Sequence, residues 1–357
     1  IALSLVGSEM CIRDRWKKMK NLGLFEKFLF FINSVIAFLF LGTLLIPYLS
    51  PSIFSQFSIL SLFSPLIIIA NILFLFFWIA KLKRQFILSL VVLIIGIDSL
   101  RSFINFSNNS RFLGGNEISI ISYNVRLFNI YKWIEEDNVD IRIRDFLNEK
   151  NPDIICLQEY QNSEFKIHNY PYLYEKLRGD NLKYGQAIFS KYPIINKGSV
   201  DFNSSSNNAI FSDIKIMNDT IRVYNIHLQS FSFEKVNPLI NINKKNEMVI
   251  KNISDTFIQQ EQQVNELKKS IKNSPYKVIV TGDLNNTAFS YVYKELSKSL
   301  NDAFKAKGNG LGITYNYNFI PLRIDFVFTE ELFKINSFKT FKLNLSDHEP
   351  IYTELKF

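Results

Sequence analysis

Three long apolar runs distinguish the first third of the chain from the rest. They cover residues 28–48, 59–80 and 86–106. Each is close to the roughly 20 residues that an α-helix needs to cross a bilayer. Asp98 and Arg101 interrupt the third run, although their spacing lets them pair on one helix face. The pattern predicts an all-α transmembrane segment with three spans within residues 19–106.

Basic residues around these runs predict an orientation. Lys17, Lys18, Lys20 and Lys27 precede the first run, KLKRQ separates the second from the third, and SPSIFSQFS between the first two is uncharged. Because lysine and arginine favour the cytoplasmic side, the N-terminal flank and KLKRQ are predicted to be cytoplasmic. A third crossing then places the rest of the chain in the periplasm, outside an inner or plasma membrane. If the third run only lies in the interface, the rest is cytoplasmic.

Residues 1–18, IALSLVGSEMCIRDRWKK, do not fit the pattern that follows them. We expect a non-native extension, with Met19 as the natural start. A cleaved signal peptide is disfavoured because several long apolar runs follow one another.

From residue 117 to residue 357, short apolar strand patterns alternate with helical patterns, which is typical of an α/β domain. The polar stretch 107–116 is the predicted linker. Asn218 and Asp219 join two strand patterns as a hairpin. Apolar residues at helical spacing between 257 and 271 predict a surface helix that covers the sheet. The glycine-rich KGNGLGITY fits no nucleotide-binding fingerprint, and we interpret it as a mobile rim loop.

The stretch KVIVTGDLNN, residues 277–286, is a predicted buried strand followed by polar residues. Because strand residues two apart point the same way, Asp283 and Asn285 are expected to project together from its carboxyl end. Gly282 lets the backbone turn sharply there. A carboxylate beside a carboxamide can bind Mg²⁺, an attacking water or a phosphoryl oxygen. Taken alone, the pattern is also that of an ordinary turn.

Polar side chains also stand at the ends of other predicted strands, where an α/β sheet concentrates its ligand-binding residues. They are Asn124, Glu159, Asn225, His227, Asp325, Asp347 and His348, and Arg126 follows the first of them. Each alone has a structural explanation, since Asn124 can close a turn and Glu159 can cap a helix. Independent turns do not explain why all of them follow apolar strands.

Composition narrows the chemistry. The net charge of +8 favours anionic partners such as phosphates, nucleic acid or acidic lipids, although the scattered lysines indicate a solvated basic surface. Cys11 and Cys156 lie far apart, so neither a disulfide-linked partner nor a thiolate metal site is expected, and Cys156 is a predicted core residue. Only three histidines, one of them His168, argue against a multi-histidine zinc centre.

Seven motifs together resemble the endonuclease/exonuclease/phosphatase superfamily, which includes deoxyribonucleases, abasic-site endonucleases, neutral sphingomyelinases and inositol polyphosphate phosphatases. They are SYNVR, PDIICLQE, YGQAIFSKYPI, YNIHL, VTGDLNN, RIDFVF and SDHEPI, in the family's order. The resemblance covers residues 117–357. It implies a four-layer α/β/β/α sandwich with the site in the loops at one rim of two packed sheets.

The resemblance also implies roles for individual residues. Asn124, Glu159 and Asp347 match a Mg²⁺ site, with Mn²⁺ as a substitute, in which Glu159 is the principal ligand. Residues that match the catalytic groups are His227, Asp283, Asn285, Asp325 and His348. Arg126 and Asn225 are candidate substrate-binding residues, and a surface salt bridge explains Arg126 equally well. Phosphoester hydrolysis needs such groups to neutralise oxygens, orient water and assist the leaving oxygen.

These observations predict a membrane-anchored, Mg²⁺-dependent phosphoesterase whose substrate is a phospholipid, a sphingolipid or nucleic acid. An extracytoplasmic, non-specific endonuclease is the nearest alternative, although no compact basic and aromatic stripe marks a nucleic-acid groove. A catalytically silent scaffold is an alternative of another class. A transporter is disfavoured because the apolar runs contain few polar residues.

Overall fold

The computed structural model describes residues 22–107, 116–161, 165–179, 182–203, 205–231, 242–317 and 320–357. The predicted N-terminal extension and most of the predicted linker lie outside these residues. The chain forms two compact units. We call residues up to 45 together with 63–100 the helical unit, and residues 46–62 together with 101–357 the sandwich unit.

The described residues form nine α-helices and sixteen strands. The helices are α1 Leu24–Thr43, α2 Pro51–Ser58, α3 Leu60–Ala80, α4 Phe86–Ile95, α5 Ile97–Phe103, α6 Val139–Lys150, α7 Ile242–Lys272, α8 Tyr291–Ser297 and α9 Ala303–Lys307. The strands are β1 Asn105–Phe106, β2 Glu117–Asn124, β3 Ile154–Gln161, β4 Tyr172–Arg178, β5 Tyr184–Ser190, β6 Ile194–Asp201, β7 Asn208–Ile216, β8 Asp219–His227, β9 Lys277–Asp283, β10 Asn301–Asp302, β11 Asn309–Gly310, β12 Tyr315–Tyr317, β13 Ile320–Leu322, β14 Asp325–Thr329, β15 Lys334–Thr340 and β16 Ile351–Lys356.

Most of each segment that could cross a membrane lies in the helical unit. By length and composition, Leu24–Tyr48 and Leu60–Ala80 are each sufficient for a span, and they coincide with the first two predicted spans. The third apolar run is not one straight helix, because α4 and α5 meet at an angle of 81°. Gly96 lies at the bend, and a Cβ atom there would lie 2.4 Å from the Phe40 ring. Because glycine has no side chain, the bend between α4 and α5 can pack closely against Phe40 of α1.

A buried amide connects three helices of this unit. Asn33 on α1 is fully buried; its Nδ2 donates to Ser89 Oγ at 2.9 Å, and its Oδ1 accepts from Trp78 Nε1 at 2.8 Å. A buried carboxamide left without partners would destabilise the fold. These bonds explain how the apolar helices accommodate a polar residue.

Two six-stranded sheets form the centre of the sandwich unit. One has the order β10-β14-β9-β8-β7-β6, and the other has the order β15-β16-β2-β3-β5-β4. Apolar side chains from both sheets, such as Ile120 and Ile279, fill one buried cluster between them. Burying one isoleucine of this kind contributes about 1.5–3 kcal/mol of transfer free energy. The buried Cys156 lies in this cluster, as predicted.

The alternating strand pattern also supplies an outer face to each sheet. Ile121 and Tyr123 on β2 point away from the inter-sheet cluster and pack with Ile143 and Leu147 of α6. On the other sheet, residues such as Val278 and Val280 pack against α7 and α8. Helices therefore cover both outer faces, which confirms the predicted α/β/β/α sandwich.

Several predicted elements lie where the pattern indicated. The surface helix is α7, and its Phe257, Val264 and Leu267 are at most 2% exposed. The predicted hairpin joins β7 to β8 in an antiparallel pair. The glycine-rich stretch contains the short strand β11 and the first residue of β12, so part of it is ordered secondary structure.

The connection between the two candidate spans packs within the sandwich unit. Glu261 on α7 accepts hydrogen bonds from Ser50 Oγ at 2.6 Å and from the Ser52 amide at 2.7 Å. Thr287 Oγ1 donates to the Ser61 carbonyl at 3.0 Å. Residues 46–62 thus form part of the sandwich unit, whereas the predicted domain boundary was placed after residue 106.

Candidate active site

The chain turns sharply at the end of β9, where polar residues follow the strand. Gly282 has φ +134°, and a Cβ atom there would lie 2.1 Å from the Ile226 carbonyl oxygen. Asp283 is fully buried, and its Oδ1 accepts a hydrogen bond from the Asn285 amide at 2.7 Å. Asn285 has φ +50° and donates from Nδ2 to the Leu228 carbonyl. A turn, rather than strand alternation, therefore brings Asn285 beside Asp283.

Two acids and a histidine form a buried cluster next to this turn. Asp325, the first residue of β14, lies opposite Asp283 in the antiparallel register. His348 Nδ1 lies 2.9 Å from Asp325 Oδ2, and His348 Nε2 lies 3.6 Å from Asp283 Oδ2. Ligand atoms of all three residues lie within 4.8 Å of one another, which is close enough to hold a cation. We call these three residues the inner cluster.

Burial and charge both act on the inner cluster. Burial lowers the pKa of His348, but the carboxylates of Asp325 and Asp283 outweigh it and raise that pKa to about 10. Burial raises the pKa of Asp283 to about 7 against the opposing effect of His348. The pair therefore favours a protonated imidazole, whose Nδ1 faces Asp325 and whose Nε2 faces Asp283.

Asn124, Glu159 and His227 extend the site across the two sheets. Asn124 Nδ2 donates to Asp283 Oδ2 at 3.1 Å and to Glu159 Oε1 at 3.3 Å. His227 Nε2 lies 3.9 Å from Glu159 Oε1 and 3.7 Å from Asp283 Oδ2. Burial, together with the charge of His348, lowers the pKa of His227 to about 3, so that it is neutral. Burial raises the pKa of Glu159.

The outer edge of the site carries an ion pair on an aromatic ring. Arg126 Nη1 lies 3.1 Å from Asp347 Oδ2, and the guanidinium carbon lies 4.4 Å from the centre of the Trp133 ring. Tyr131 packs edge-on against Trp133, and both rings are exposed. Ser346 Oγ donates to the Asn124 carbonyl at 2.8 Å, which holds the loop that carries Asp347 against β2. We call Glu159, Arg126 and Asp347 the outer group.

The predicted site residues converge with one exception. The rim holds Asn124, Arg126, Glu159, His227, Asp283, Asn285, Asp325, Asp347 and His348. Asn225 lies two residues inside β8 and is fully buried. Its Nδ2 donates to the Leu157 and Ala187 carbonyls, and its Oδ1 accepts from Gln158 Nε2 at 2.6 Å. Its contacts thus join the two sheets.

Sequence reasoning missed Thr314 as a supporting residue. Its buried Oγ1 accepts hydrogen bonds from the Ile324 and Asp325 amides, at 3.1 and 3.2 Å, and its carbonyl accepts from the Glu349 amide at 2.7 Å. The adjacent Tyr315 packs on the His348 ring, with centroids 4.8 Å apart. The glycine-rich stretch therefore positions both partners of the Asp325–His348 hydrogen bond. A threonine in such a stretch gives no sequence signal for that role.

A family comparison identifies the fold around this site. The profile of the Endonuclease/Exonuclease/phosphatase family matches residues 121–348. The chain belongs to this family. A second profile, for a domain of unknown function, matches residues 26–103. The family name covers enzymes that hydrolyse phosphoester bonds, and it confirms the resemblance seen in the sequence.

Solved structures share the fold of this family member at low sequence identity. An endonuclease/exonuclease/phosphatase from Bacteroides vulgatus is 18% identical with a TM-score of 0.53, over 68% of this chain and 99% of the other. A family protein from Bacteroides thetaiotaomicron is 16% identical with a TM-score of 0.51, over 69% and 99%. Truncated Caenorhabditis elegans TDP2 is 18% identical with a TM-score of 0.50, over 68% and 98%. No curated protein matches the chain.

Proposed function

We propose that this chain is a membrane-anchored, Mg²⁺-dependent phosphoesterase that hydrolyses phosphodiester or phosphomonoester bonds. The convergence of Glu159, Asp283, Asp325 and His348 at one rim is the observation that carries the proposal. Two buried atoms there, His227 Nε2 and Asp325 Oδ1, have no hydrogen-bond partner among the residues that the structure describes. Because most buried polar atoms in proteins are hydrogen-bonded, these two atoms at the site are suited to a ligand.

The donor atoms fit a hard divalent cation. Asn124, Glu159 and Asp347 offer carboxylate and carboxamide oxygens, which Mg²⁺ prefers and which Mn²⁺ also accepts. The structure turns Asn124 Nδ2 toward Glu159, so a bound cation requires the carboxamide to present its oxygen instead. When bound, the cation would neutralise phosphoryl oxygens. The inner cluster also brings ligand atoms close enough for a cation, and we assign it instead to the chemistry on the substrate because its Asp325 and His348 are hydrogen-bonded to each other.

The chain's own residues supply the remaining chemistry. His348, held by Asp325, donates a hydrogen bond to a non-bridging phosphoryl oxygen. Asp283 orients the attacking water and accepts its proton as the water oxygen bonds to phosphorus, and Asn285 fixes Asp283 through the turn amide. The bond from phosphorus to the leaving oxygen breaks in the same step, and the leaving oxygen takes a proton from solvent. The neutral His227 accepts or donates a hydrogen bond at Nε2. Arg126 contacts the substrate phosphate while Asp347 holds its guanidinium in place.

The sandwich unit is proposed to lie outside the cytoplasm. Residues 46–62 join the two candidate spans, so a unit that includes them lies on their side of the membrane. Lys27 and the KLKRQ segment carry the positive charges expected on the other side. The chain must then cross once more, through the bent α4–α5 pair.

Cysteine labelling tests this topology. In a Cys11→Ser background, Met217→Cys is expected to react with a membrane-impermeant maleimide in intact cells, and Lys81→Cys only after lysis. Met217 is 70% exposed, so its reactivity reports its side of the membrane. The reverse labelling pattern contradicts an extracytoplasmic site.

A nuclease acting on single strands is the second candidate. The observation that favours it is the exposed pair of Tyr131 and Trp133 beside Arg126, because nucleobases stack on such rings. Membrane anchoring favours a lipid phosphodiester instead.

Hydrolysis by the full chain in detergent micelles tests the proposed activity. Plasmid DNA, RNA, sphingomyelin, phospholipid and a chromogenic phosphodiester are offered with Mg²⁺. Glu159→Gln and His348→Ala should remove the turnover, whereas Glu149→Gln and the exposed His168→Ala should preserve it. Metal-independent turnover, or turnover that survives both site variants, contradicts the proposal. No turnover of any of these substrates by the wild-type chain supports the scaffold alternative.

A further inference from the structure

The short helix α2 has an apolar face that the sandwich unit leaves uncovered. Ile53 is 73% exposed, Phe54 is 42% and Phe57 is 56%, while Pro51 and Ser58 are buried. Tyr48, just before the helix, is 65% exposed. The helix is kinked at Phe54, which has φ −127° and ψ 41°. Its three large apolar side chains form a surface that water solvates poorly.

The opposite side of α2 is fixed to α7. Glu261 binds Ser50 and Ser52 through both carboxylate oxygens and is 8% exposed. Lys294 Nζ lies 4.9 Å from the centre of the Tyr48 ring. Charge-assisted bonds of this kind hold a short helix that would not persist alone. The apolar face is therefore presented by a firmly attached element.

We propose that this face, Ile53, Phe54 and Phe57, inserts into the lipid surface and holds the sandwich unit on the membrane. The proposal rests on the proposed function and specifies a lipid phosphodiester as its substrate class. A helix with one apolar and one polar face is suited to the boundary between headgroups and acyl chains.

The short connections between α2 and the two candidate spans identify the lipid surface as the partner of the apolar face of α2. Only Leu49 and Ser50 separate Tyr48 from α2, and only Ile59 separates α2 from α3. At about 3.5 Å per residue, these connections hold α2 within roughly 10 Å of the ends of both candidate spans. Residues 46–62 contain no charged side chain that would resist contact with lipid. No covalent connection of this kind holds a second copy of the chain against the apolar face of α2.

The lipid-facing helix is connected to the site through α7. Gln260, next to Glu261, donates from Nε2 to the Gln229 carbonyl at 2.6 Å and to the Asn285 carbonyl at 3.3 Å. Its Oε1 accepts from Asn286 Nδ2 at 2.7 Å. The same turn of α7 thus holds both α2 and the Asp283–Asn285 turn.

Depth-dependent fluorescence quenching tests the contact without requiring activity. The full chain, in a Cys11→Ser background, carries an environment-sensitive dye at Ile53→Cys or Phe57→Cys and is reconstituted in phosphatidylethanolamine and phosphatidylglycerol vesicles. Nitroxide lipids labelled near the headgroup should quench either dye at least about threefold more than a dye at Met217→Cys, the exposed hairpin control. Equal quenching at all three positions overturns the proposal, as does cross-linking of two copies through residue 53.

Turnover separates this proposal from the proposed function. The double variant Ile53→Asp/Phe57→Asp should lower hydrolysis of vesicle lipid about tenfold or more and leave hydrolysis of a soluble chromogenic phosphodiester unchanged. Unchanged lipid turnover overturns the role of α2. Strong quenching at residues 53 and 57 together with no hydrolysis of any substrate supports the lipid contact and contradicts the proposed activity instead.

Discussion

The two sides of the active site differ in how far they are enclosed. In the inner cluster, the side chains of Asp283, Asp325 and His348 are 0%, 1% and 6% exposed. In the outer group, Glu159 is 31% exposed and Asp347 is 24% exposed. The fold holds the inner cluster in place before any ligand binds. It leaves the outer group accessible to a cation and to substrate. The inner cluster is thus suited to chemistry, and the outer group to binding a cation and substrate.

Burial also determines how each side of the active site responds to an amino-acid substitution. A buried charge without its partner is strongly destabilising, so the inner residues depend on one another. Partly exposed charges are screened by water and can rearrange when a ligand binds. Substitutions should therefore affect the rate on the inner side and the affinity on the outer side.

The largest effect is expected from His348→Ala in the inner cluster. Loss of a positioned hydrogen-bond donor lowers kcat about a thousandfold, in the range typical of such groups. The Mg²⁺ concentration for half-maximal rate should change by less than about threefold, because the proposed ligands remain. Steady-state kinetics with a chromogenic phosphodiester measures both quantities. His168→Ala is the matched control, and a larger effect on Mg²⁺ than on kcat reverses the assignment of the two sides.

Glu159→Gln should act mainly on cation binding. Replacing a carboxylate ligand by a carboxamide removes the charge that attracts the cation, so we expect the half-maximal Mg²⁺ concentration to rise at least about tenfold. Saturating Mg²⁺ should restore part of the rate. Calorimetric titration of Mg²⁺ measures the affinity directly, with Glu149→Gln as the exposed control. Wild-type affinity in the variant contradicts a cation site at the outer group.

Many of the residues that meet in the site could be predicted from sequence, because they lie at the ends of strands. Asp283 and Asp325 begin or end strands that pair directly, and Asn124 and Glu159 lie on the neighbouring parallel strands β2 and β3. Apolar strands followed by polar residues therefore predicted which side chains would meet. The sequence does not reveal which of them the fold would enclose, since enclosure depends on loops packed from distant segments.

The surroundings of Asn225 and of residues 46–62 could not be predicted from the pattern of apolar and polar residues. Asn225 shares a strand face with His227, but it lies two residues deeper, where the opposing sheet covers it. Strand alternation gives the face and not the depth. Residues 46–62 contain no charged residue that would indicate an ion pair, so their docking on Glu261 had no local signal.

Thr314→Val tests whether the inner cluster depends on its support. The variant keeps the side-chain shape but leaves the Ile324 and Asp325 amides without an acceptor, at a free-energy cost of about 1–3 kcal/mol for each buried group. We expect kcat to fall about tenfold with KM within about twofold. Thr314→Ser restores the hydroxyl and should restore the rate. Equal loss in both variants indicates a packing role instead of a positioning role.

The smallest effect is expected at Trp133, beneath the Arg126 guanidinium of the outer group. A cation–π contact at an exposed site contributes about 0.5–1 kcal/mol, so Trp133→Leu should raise KM about two- to fivefold and leave kcat unchanged. The KM of Trp133→Phe should lie between the KM of the wild type and that of Trp133→Leu. Tyr184→Leu is the control, because Tyr184 is exposed on β5. A larger KM effect on single-stranded DNA than on a lipid or chromogenic diester shows that the ring stacks on bases. That result favours the nuclease alternative, because successive nucleobases stack on exposed aromatic rings.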